Sequence, residues 1–152
     1  MGAPRKGEIM PATRTDILEF MRRSSLAVQA SVSPASAPQA AVVGFIVTDD
    51  FEVVFDTVDT TRKVVNLRRN ARCALVIGGM ANGEERTVQL EGITDEPTGA
   101  DLERLKELYF VRFPDGRDRQ SWPGLTYMRV RPQWLRFSDF SKSPPAITEL
   151  TF

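Results

Sequence analysis

VVFDTVDTTRKVVNLRRN, residues 53–70, runs from an apolar strand through a cluster of threonines to two cations and a helical pattern. The first turn of a helix leaves backbone N–H groups unpaired and carries a partial positive charge. Thr60, Thr61, Arg62 and Lys63 add hydroxyl groups and two formal charges at the same place. This combination of donors and charge suits the binding of a phosphate group.

The same residues also fit a purely structural interpretation. Asp59 or Thr60 would then cap the helix, and Arg62 and Lys63 would be solvated side chains of its first turn. Cations in a first turn oppose the helix dipole, at a cost of about a few tenths of a kcal/mol each, so a helix without a ligand favours Asp or Glu there. A bound anion would remove this conflict.

Composition indicates an ordinary globular protein. The 152 residues suit a single domain, 1–152, in which residues 1–12 carry Gly, Pro and mixed charge and are expected to form a loose tail. Twenty basic side chains balance twenty acidic ones, which argues against a broad nucleic-acid-binding face. No apolar run is long enough for a membrane span or a signal peptide. We therefore expect a cytoplasmic location and no membrane partner.

Two absences exclude whole classes of chemistry. The chain has no histidine, and so no Ser-His-Asp triad, histidine metal site or histidine ligand for heme iron. Its one cysteine, Cys73, lies in the apolar run CALVI and is expected to be a buried core residue. No metal site is predicted, and difficult chemistry would need a borrowed cofactor.

Strand patterns outnumber helical ones along the chain. Thr13 and Asp16 form a capping pattern that opens a helix over 14–24, and a second helix is expected over 61–70. Thr98 with Asp101 opens a third. The predicted strands are LAVQASV, AVVGFIVT, FEVVFDT, RCALVIG, RTVQLEGIT, LTYMRVRP and WLRFSDF.

Turn signals suggest how the strands are connected. The turn at 48–50 predicts a hairpin between AVVGFIVT and FEVVFDT, and Asn82-Gly83 predicts another before RTVQLEGIT. Gly92 marks a candidate bulge, and Pro132 separates the last two strands. The pattern predicts a mainly β, α+β fold: an antiparallel split β-barrel with a few peripheral helices.

From about Asp16 to Phe140 the chain resembles the pyridoxamine 5′-phosphate oxidase-like family, the FMN-binding split β-barrels. The most specific match is FDTVDTTRK followed by VVNLRRN and RCALVI, which is similar to the family's strand, Ser-Arg-Lys, helix and following strand. RTVQLEG is similar to a second family strand, Arg-Gln-Val-Arg-x-Glu-Gly. Members are typically homodimers with FMN at the subunit interface.

The resemblance implies a set of cofactor-binding residues. Arg62 and Lys63 take the positions that hold the FMN phosphate, and Thr61 replaces the usual serine hydroxyl. The strand AVVGFI, with Asp56 and Thr57, would lie along the flavin ring and ribityl chain, mostly through backbone groups. Thr87 and Gln89 take the positions of a flavin-contacting Gln and its neighbouring Arg. A solvent-facing barrel strand is the structural alternative for both.

The substrate-binding positions depart from the family pattern. YFVRFPDGRDRQSW resembles the stretch whose Tyr and Arg bind the substrate phosphate, but Phe113 stands at the Arg position and Arg112 comes one residue early. The terminal Arg-x-His signature is absent, so we do not expect oxidation of pyridoxamine phosphate. Tyr109, Arg112 and Trp122 remain substrate-pocket candidates, and Trp122 is equally suited to core or interface packing.

The leading hypothesis is a flavin-dependent oxidoreductase that binds FMN as a homodimer and acts on an unknown small molecule. A second hypothesis is a reductase that uses the deazaflavin relative of FMN, because NLRRN resembles the helix of such proteins. The third is a non-catalytic dimer that binds a flavin or another ligand, which the lost Arg and the lack of an acid or base candidate support.

Overall fold

The computed structural model describes residues 10–152, so the predicted tail lies outside it up to residue 9. The elements follow one another in a mainly β order that supports the predicted fold class. They are α1 (Arg14–Arg23), β1 (Leu26–Val32), β2 (Pro38–Gly44), β3 (Ile46–Val47), β4 (Val53–Val58), α2 (Arg62–Arg69), β5 (Arg72–Gly78), β6 (Arg86–Asp95), α3 (Gly99–Arg112), α4 (Gly116–Arg119), β7 (Leu125–Asp139) and β8 (Ala146–Thr151).

The strands form one antiparallel sheet in the order β2-β1-β5-β6-β7-β4-β3, with β8 also paired to β7. Alternation in β6 gives the sheet its two faces, since Val88 and Leu90 are buried whereas Gln89 and Glu91 are exposed. The buried face forms the core, against which α1 packs Phe20. The predicted antiparallel split barrel is confirmed.

The split lies between β2 and β4. Their Cα atoms approach within 8 Å, yet within residues 10–152 the two strands do not pair with each other. β2 has only β1 as a partner, so the backbone groups along its other edge are not used by the sheet. This free edge faces the part of the chain that leads into α2.

One predicted hairpin is largely wrong. AVVGFIVT was expected to pair with FEVVFDT, but only Ile46 and Val47 do so, opposite Val54 and Val53. The seven residues of β2, Pro38–Gly44, pair with β1 instead, from Leu26 opposite Gly44 to Val32 opposite Pro38. A tight turn through 33–37, with Ser36 at φ 61°, closes this hairpin and gives β2 a full-length partner.

The predicted break at Pro132 is also wrong, because β7 is one strand of 15 residues. The register with β6 shifts there: Gly92 lies opposite Pro132, and Glu91 lies opposite Trp134. This bulge accommodates a residue that has no N–H to donate, and it confirms the candidate bulge at Gly92. The part of β7 that precedes the bulge also pairs with β4, and the part that follows the bulge also pairs with β8. The sequence patterns did not predict β8.

The capping pattern predicted for α1 is confirmed, whereas the one predicted for α3 is not observed. Thr13 and Asp16 do form the expected capping box of α1. Thr98 makes no side-chain cap on α3, however, and the Asp101 carboxylate accepts hydrogen bonds from Arg104 and Arg129 instead. The segment after α3 contains the single-turn helix α4. None of the helices in the described part of the chain is long and apolar enough to cross a membrane.

Arg129 of β7 is 4% exposed and holds together three elements through carboxylates. Its guanidinium donates to Asp95 of β6 at 2.7 and 2.9 Å and to Asp101 of α3 at 2.6 Å. Glu52, just before β4, lies 3.7 Å away. We call these four residues the Arg129 cluster; Arg129 is the most buried cation in the ion pairs of the described residues.

The Arg129 cluster predicts a loss of stability in acid. Hydrogen bonds from Arg129 lower the pKa of Asp95, and those from Arg104 and Arg129 lower the pKa of Asp101, both from 3.8. The folded chain therefore binds fewer protons than the unfolded chain, so this stabilisation is complete well above pH 3.8 and is lost as the pH falls through it. Urea unfolding should give a free energy that declines from about pH 5 downward; a value that stays flat to pH 3 would contradict this.

Candidate functional site

A pocket of about 320 Å³ lies between the inner face of the β1–β2 hairpin and the start of α2. It occurs where the sheet is split, so one wall is strand and the other is helix. The small side chains of Ala40 and Ala41 leave room for it beside β2. The complete lining is Gln29, Ser31, Gln39, Ala40, Ala41, Arg62 and Lys63.

The start of α2 is not capped by its own side chains. The N-cap residue is Thr61, not Asp59 or Thr60, and its hydroxyl makes no capping hydrogen bond. Thr61 Oγ1 lies 3.3 Å from Thr57 Oγ1 instead. The N–H groups of the first turn are therefore left for another acceptor, and the positive end of the helix dipole is uncompensated because the turn contains no acidic residue.

Arg62 and Lys63 add two positive charges at this helix start. Among the described residues, neither forms an ion pair with a carboxylate, in contrast to Arg68 in the same helix, which pairs with Glu96 at 2.8 Å. Two unpaired cations beside the positive end of a helix repel one another and the helix dipole. An anion in the pocket would neutralise all three contributions.

The inner wall of the pocket is polar and deeply buried. Gln29, Ser31 and Asn66 are 1%, 3% and 3% exposed, respectively. The Asn66 amide nitrogen donates to Ser31 Oγ at 3.2 Å and to Gln39 Oε1. Within the described part of the chain, the Gln29 amide nitrogen has no oxygen as a hydrogen-bond partner, and the Cys73 thiol lies near the amide. Sequence reasoning missed this wall, although the alternation of LAVQASV puts Gln29 and Ser31 on the same face as the buried Ala27.

Asp56, a predicted cofactor residue, uses its side chain within the protein. Tyr109 Oη donates to one carboxylate oxygen at 2.9 Å, and Arg119 Nε donates to the other at 2.8 Å. Desolvation, reinforced by the negative charge of Asp56, raises the pKa of Tyr109, so this hydroxyl stays protonated and donates. In this arrangement a ligand would contact the backbone of Asp56 rather than its carboxylate. The two hydrogen bonds also connect β4 to α3 and α4.

Thr87 and Gln89 do not line the pocket. Both lie on β6, where Thr87 is half-buried and Gln89 is exposed. Gln89 belongs to a row of residues that are opposite one another across four neighbouring strands. The row consists of Gln89 on β6, Val76 on β5, Val28 on β1 and Val42 on β2. Their side chains share the outer face of the sheet, on which Val42 and Val76 are 60% and 40% exposed. Within one chain, the two β6 residues thus belong to an exposed apolar face rather than to the pocket.

The structure separates the three substrate-pocket candidates. Tyr109 is 1% exposed and packs in an aromatic cluster with Phe113 and Tyr127. Arg112 lines a different, larger pocket of about 570 Å³ between α1, β3 and α3. Trp122 is 53% exposed after α4. Tyr109 and Arg112 are neighbours on α3, three residues apart, but Tyr109 is buried whereas Arg112 is exposed.

Cys73 is a core residue, as predicted. It lies on β5 at 4% exposure, and burial raises the pKa of its thiol to about 11. The reactive thiolate is therefore scarce at neutral pH.

Comparison with known proteins gives one family match and several similar folds. The family model for pyridoxamine 5′-phosphate oxidase matches residues 14–139. No curated protein sequence matches the chain. Because the matched range includes the strand, the threonine cluster and the two cations at the start of α2, the family match and the candidate site involve the same part of the chain.

Three solved structures are similar to this chain. A heme binding protein from Mycobacterium smegmatis has a TM-score of 0.79 at 14% identity, and the match covers 94% of this chain but 60% of that one. HutZ, the heme storage protein from Vibrio cholerae, has a TM-score of 0.67 at 14% identity, with 78% and 88% covered. A conserved hypothetical protein from Mycobacterium tuberculosis has a TM-score of 0.71 at 20% identity, with 90% of each covered.

At these identities the structural neighbours establish the fold alone, and this chain spans about three fifths of the mycobacterial heme binding protein. The family match is more specific, since it extends over most of the chain. On that basis, the chain belongs to the pyridoxamine 5′-phosphate oxidase family.

Proposed function

We propose that this chain binds FMN with its phosphate in the pocket at the start of α2. One observation carries the proposal: Arg62 and Lys63 flank an uncapped helix start and have no carboxylate partner among the described residues. A doubly charged phosphate monoester supplies the acceptors and the negative charge that this arrangement lacks. Thr61 would add a hydroxyl donor.

The rest of the cofactor would follow the split in the barrel. The free edge of β2 offers backbone N–H and C=O groups from Ala41 to Gly44, and Thr57 with the backbone of Asp56 lies across the opening on β4. These groups suit hydroxyl groups and the polar edge of a ring system. The Asp56 carboxylate, held by Tyr109 and Arg119, would keep this part of β4 in place.

A homodimer would complete the site. The outer face of the sheet, with Val42 and Val76 exposed, is the kind of apolar surface that a second copy covers. Gln89 lies in the same cross-strand row. Covering this face would enclose Thr87 and Gln89, so they would contact a cofactor at the interface rather than one held within a single chain.

The proposed activity is that of a flavin-dependent oxidoreductase acting on a small molecule other than pyridoxamine phosphate. FMN, when bound, supplies hydride transfer, and the chain supplies phosphate binding and orientation. Phe113 and Tyr109 pack in an aromatic cluster where the family's substrate-binding Arg and Tyr are expected. This replaces a cationic phosphate contact by an apolar one, which favours a substrate without a phosphate group.

Heme is the competing ligand, because two structural neighbours are named for it. The chain has no histidine, Cys73 is buried as a protonated thiol, and the Tyr109 hydroxyl is hydrogen-bonded to Asp56. Histidine, the proximal heme ligand of globins and peroxidases, is thus absent, and the cysteine and Tyr109 are not available as ligands. The two unpaired cations also match a phosphate more directly, so we favour FMN.

The test is a titration of the purified full-length protein with FMN, deazaflavin cofactor and heme, followed by absorption spectroscopy. We expect tight, saturable binding of FMN and a shifted flavin spectrum. Anaerobic mixing of the FMN complex with NADH or NADPH should then bleach the flavin. Preferential binding of deazaflavin or heme would overturn the proposed cofactor, and FMN binding with no reduction by any electron donor would support a non-catalytic module.

A further inference from the structure

Gln29 is the one glutamine of the pocket that lacks a hydrogen-bond partner. Its amide nitrogen is fully buried, and no oxygen of the described residues accepts a hydrogen bond from it; the Cys73 thiol, a weak acceptor, lies near the amide. Gln39, across the same hairpin, accepts from Asn66. A buried donor without an acceptor destabilises a folded protein, so its presence at the inner wall of a pocket indicates that an acceptor occupies that pocket in function.

A water molecule alone does not account for the space. The pocket measures about 320 Å³, whereas one water occupies about 30 Å³ in the liquid. The same pocket is lined at its outer end by Arg62 and Lys63, so its occupant must satisfy two cations and a neutral donor together. A phosphate monoester does so, because its three terminal oxygens accept hydrogen bonds from different directions.

We infer that Gln29 is a ligand-binding residue of this pocket, its amide nitrogen donating a hydrogen bond to a phosphate oxygen held by Arg62 and Lys63. The inference deepens the proposed function and rests on it for the identity of the complete ligand. It adds an uncharged contact from β1 to the charged contacts from α2. The Asn66 amide, which fixes Ser31 and Gln39 beside it, keeps that wall in place.

The test compares Gln29→Met with the unmodified protein. Methionine has nearly the same length and volume but no donor, so it removes the contact without opening a cavity. We expect the affinity for FMN to fall about tenfold or more, and the affinity for riboflavin, which has no phosphate, to change little. The melting temperature of the ligand-free protein should stay equal or rise, because an unpaired buried donor has been removed. Gln133→Met, at an exposed position of β7, is the matched control and should alter neither quantity.

Inorganic phosphate separates this inference from the proposed function. Millimolar phosphate should raise the melting temperature of the unmodified protein and should have less effect on Gln29→Met. If FMN fails to bind but this difference is seen, the flavin proposal is wrong and the role of Gln29 stands. If FMN and phosphate act equally on both proteins, or phosphate acts on neither, Gln29 is a core residue only. A lower melting temperature with an unchanged ratio of FMN to riboflavin affinity would lead to the same conclusion.

Discussion

Replacing Arg62 and Lys63 together by alanine should reduce the affinity for FMN by about 10²–10⁴-fold. Each charge-assisted contact to a phosphate contributes roughly 1.5–3 kcal/mol, and two contacts are lost. The affinity for riboflavin should be nearly unchanged, because the phosphate is the group these cations are proposed to bind. Fluorescence titration with both flavins at a fixed ionic strength measures the two affinities directly.

The ligand-free double variant supplies a second measurement. Because cations oppose the dipole at a helix start, removing both should leave the stability unchanged or raise it by about a few tenths of a kcal/mol. Removal of Arg68 and Arg72, which changes the net charge equally but away from the pocket, is the control and should preserve FMN affinity. Equal losses of affinity in the two double variants would indicate a general charge effect and contradict the proposed phosphate site.

Replacing Arg129 by methionine should destabilise the protein by about 2–4 kcal/mol. The substitution leaves the carboxylates of Asp95, Asp101 and Glu52 close together without their shared cation. Removing one partner of a buried ion pair typically costs about 3–5 kcal/mol, and the partial exposure of these carboxylates reduces the cost. Chemical unfolding at pH 7 should measure it.

Arg131 is the matched control for Arg129. It lies two residues along β7, is 58% exposed in its side chain and contacts the same Asp95 at 3.2 Å. An exposed ion pair of this kind contributes about 0–1 kcal/mol, so Arg131→Met should have little effect. Similar losses for the two variants would mean that burial of Arg129 does not determine its contribution.

Local patterns predicted the elements of the fold better than their pairing. The capping box at Thr13 depends only on residues close together in sequence, and it is confirmed. The segment from Pro38 to Val47 could pair either with the strand before it, β1, or with the strand after it, β4. Seven of its residues pair with β1 and only two with β4, and this difference is not visible in a local pattern. Likewise, Pro132 ends a strand only if no bulge accommodates it, and that depends on Gly92 of a distant segment.

The site was predictable where one segment builds it. Arg62 and Lys63 are consecutive, and both line one pocket beside the uncapped start of α2. Gln29 comes from a strand more than thirty residues earlier, and its lack of a partner depends on the packing of three elements. The separation of Arg112 from Tyr109 likewise depends on how α3 lies on the sheet, because residues three apart in a helix are neighbours and only packing decides which of them is buried.

The free edge of β2 has a consequence for self-association. Strand edges with unsatisfied backbone groups recruit other strands, and a chain that leaves one open is prone to aggregate. Pro38 at the start of β2 and the interruption after Gly44 shorten the stretch on which a foreign strand can align. A cofactor bound along this edge would cover backbone groups that otherwise could pair with a strand of another chain. Cofactor binding would then also reduce aggregation of the protein.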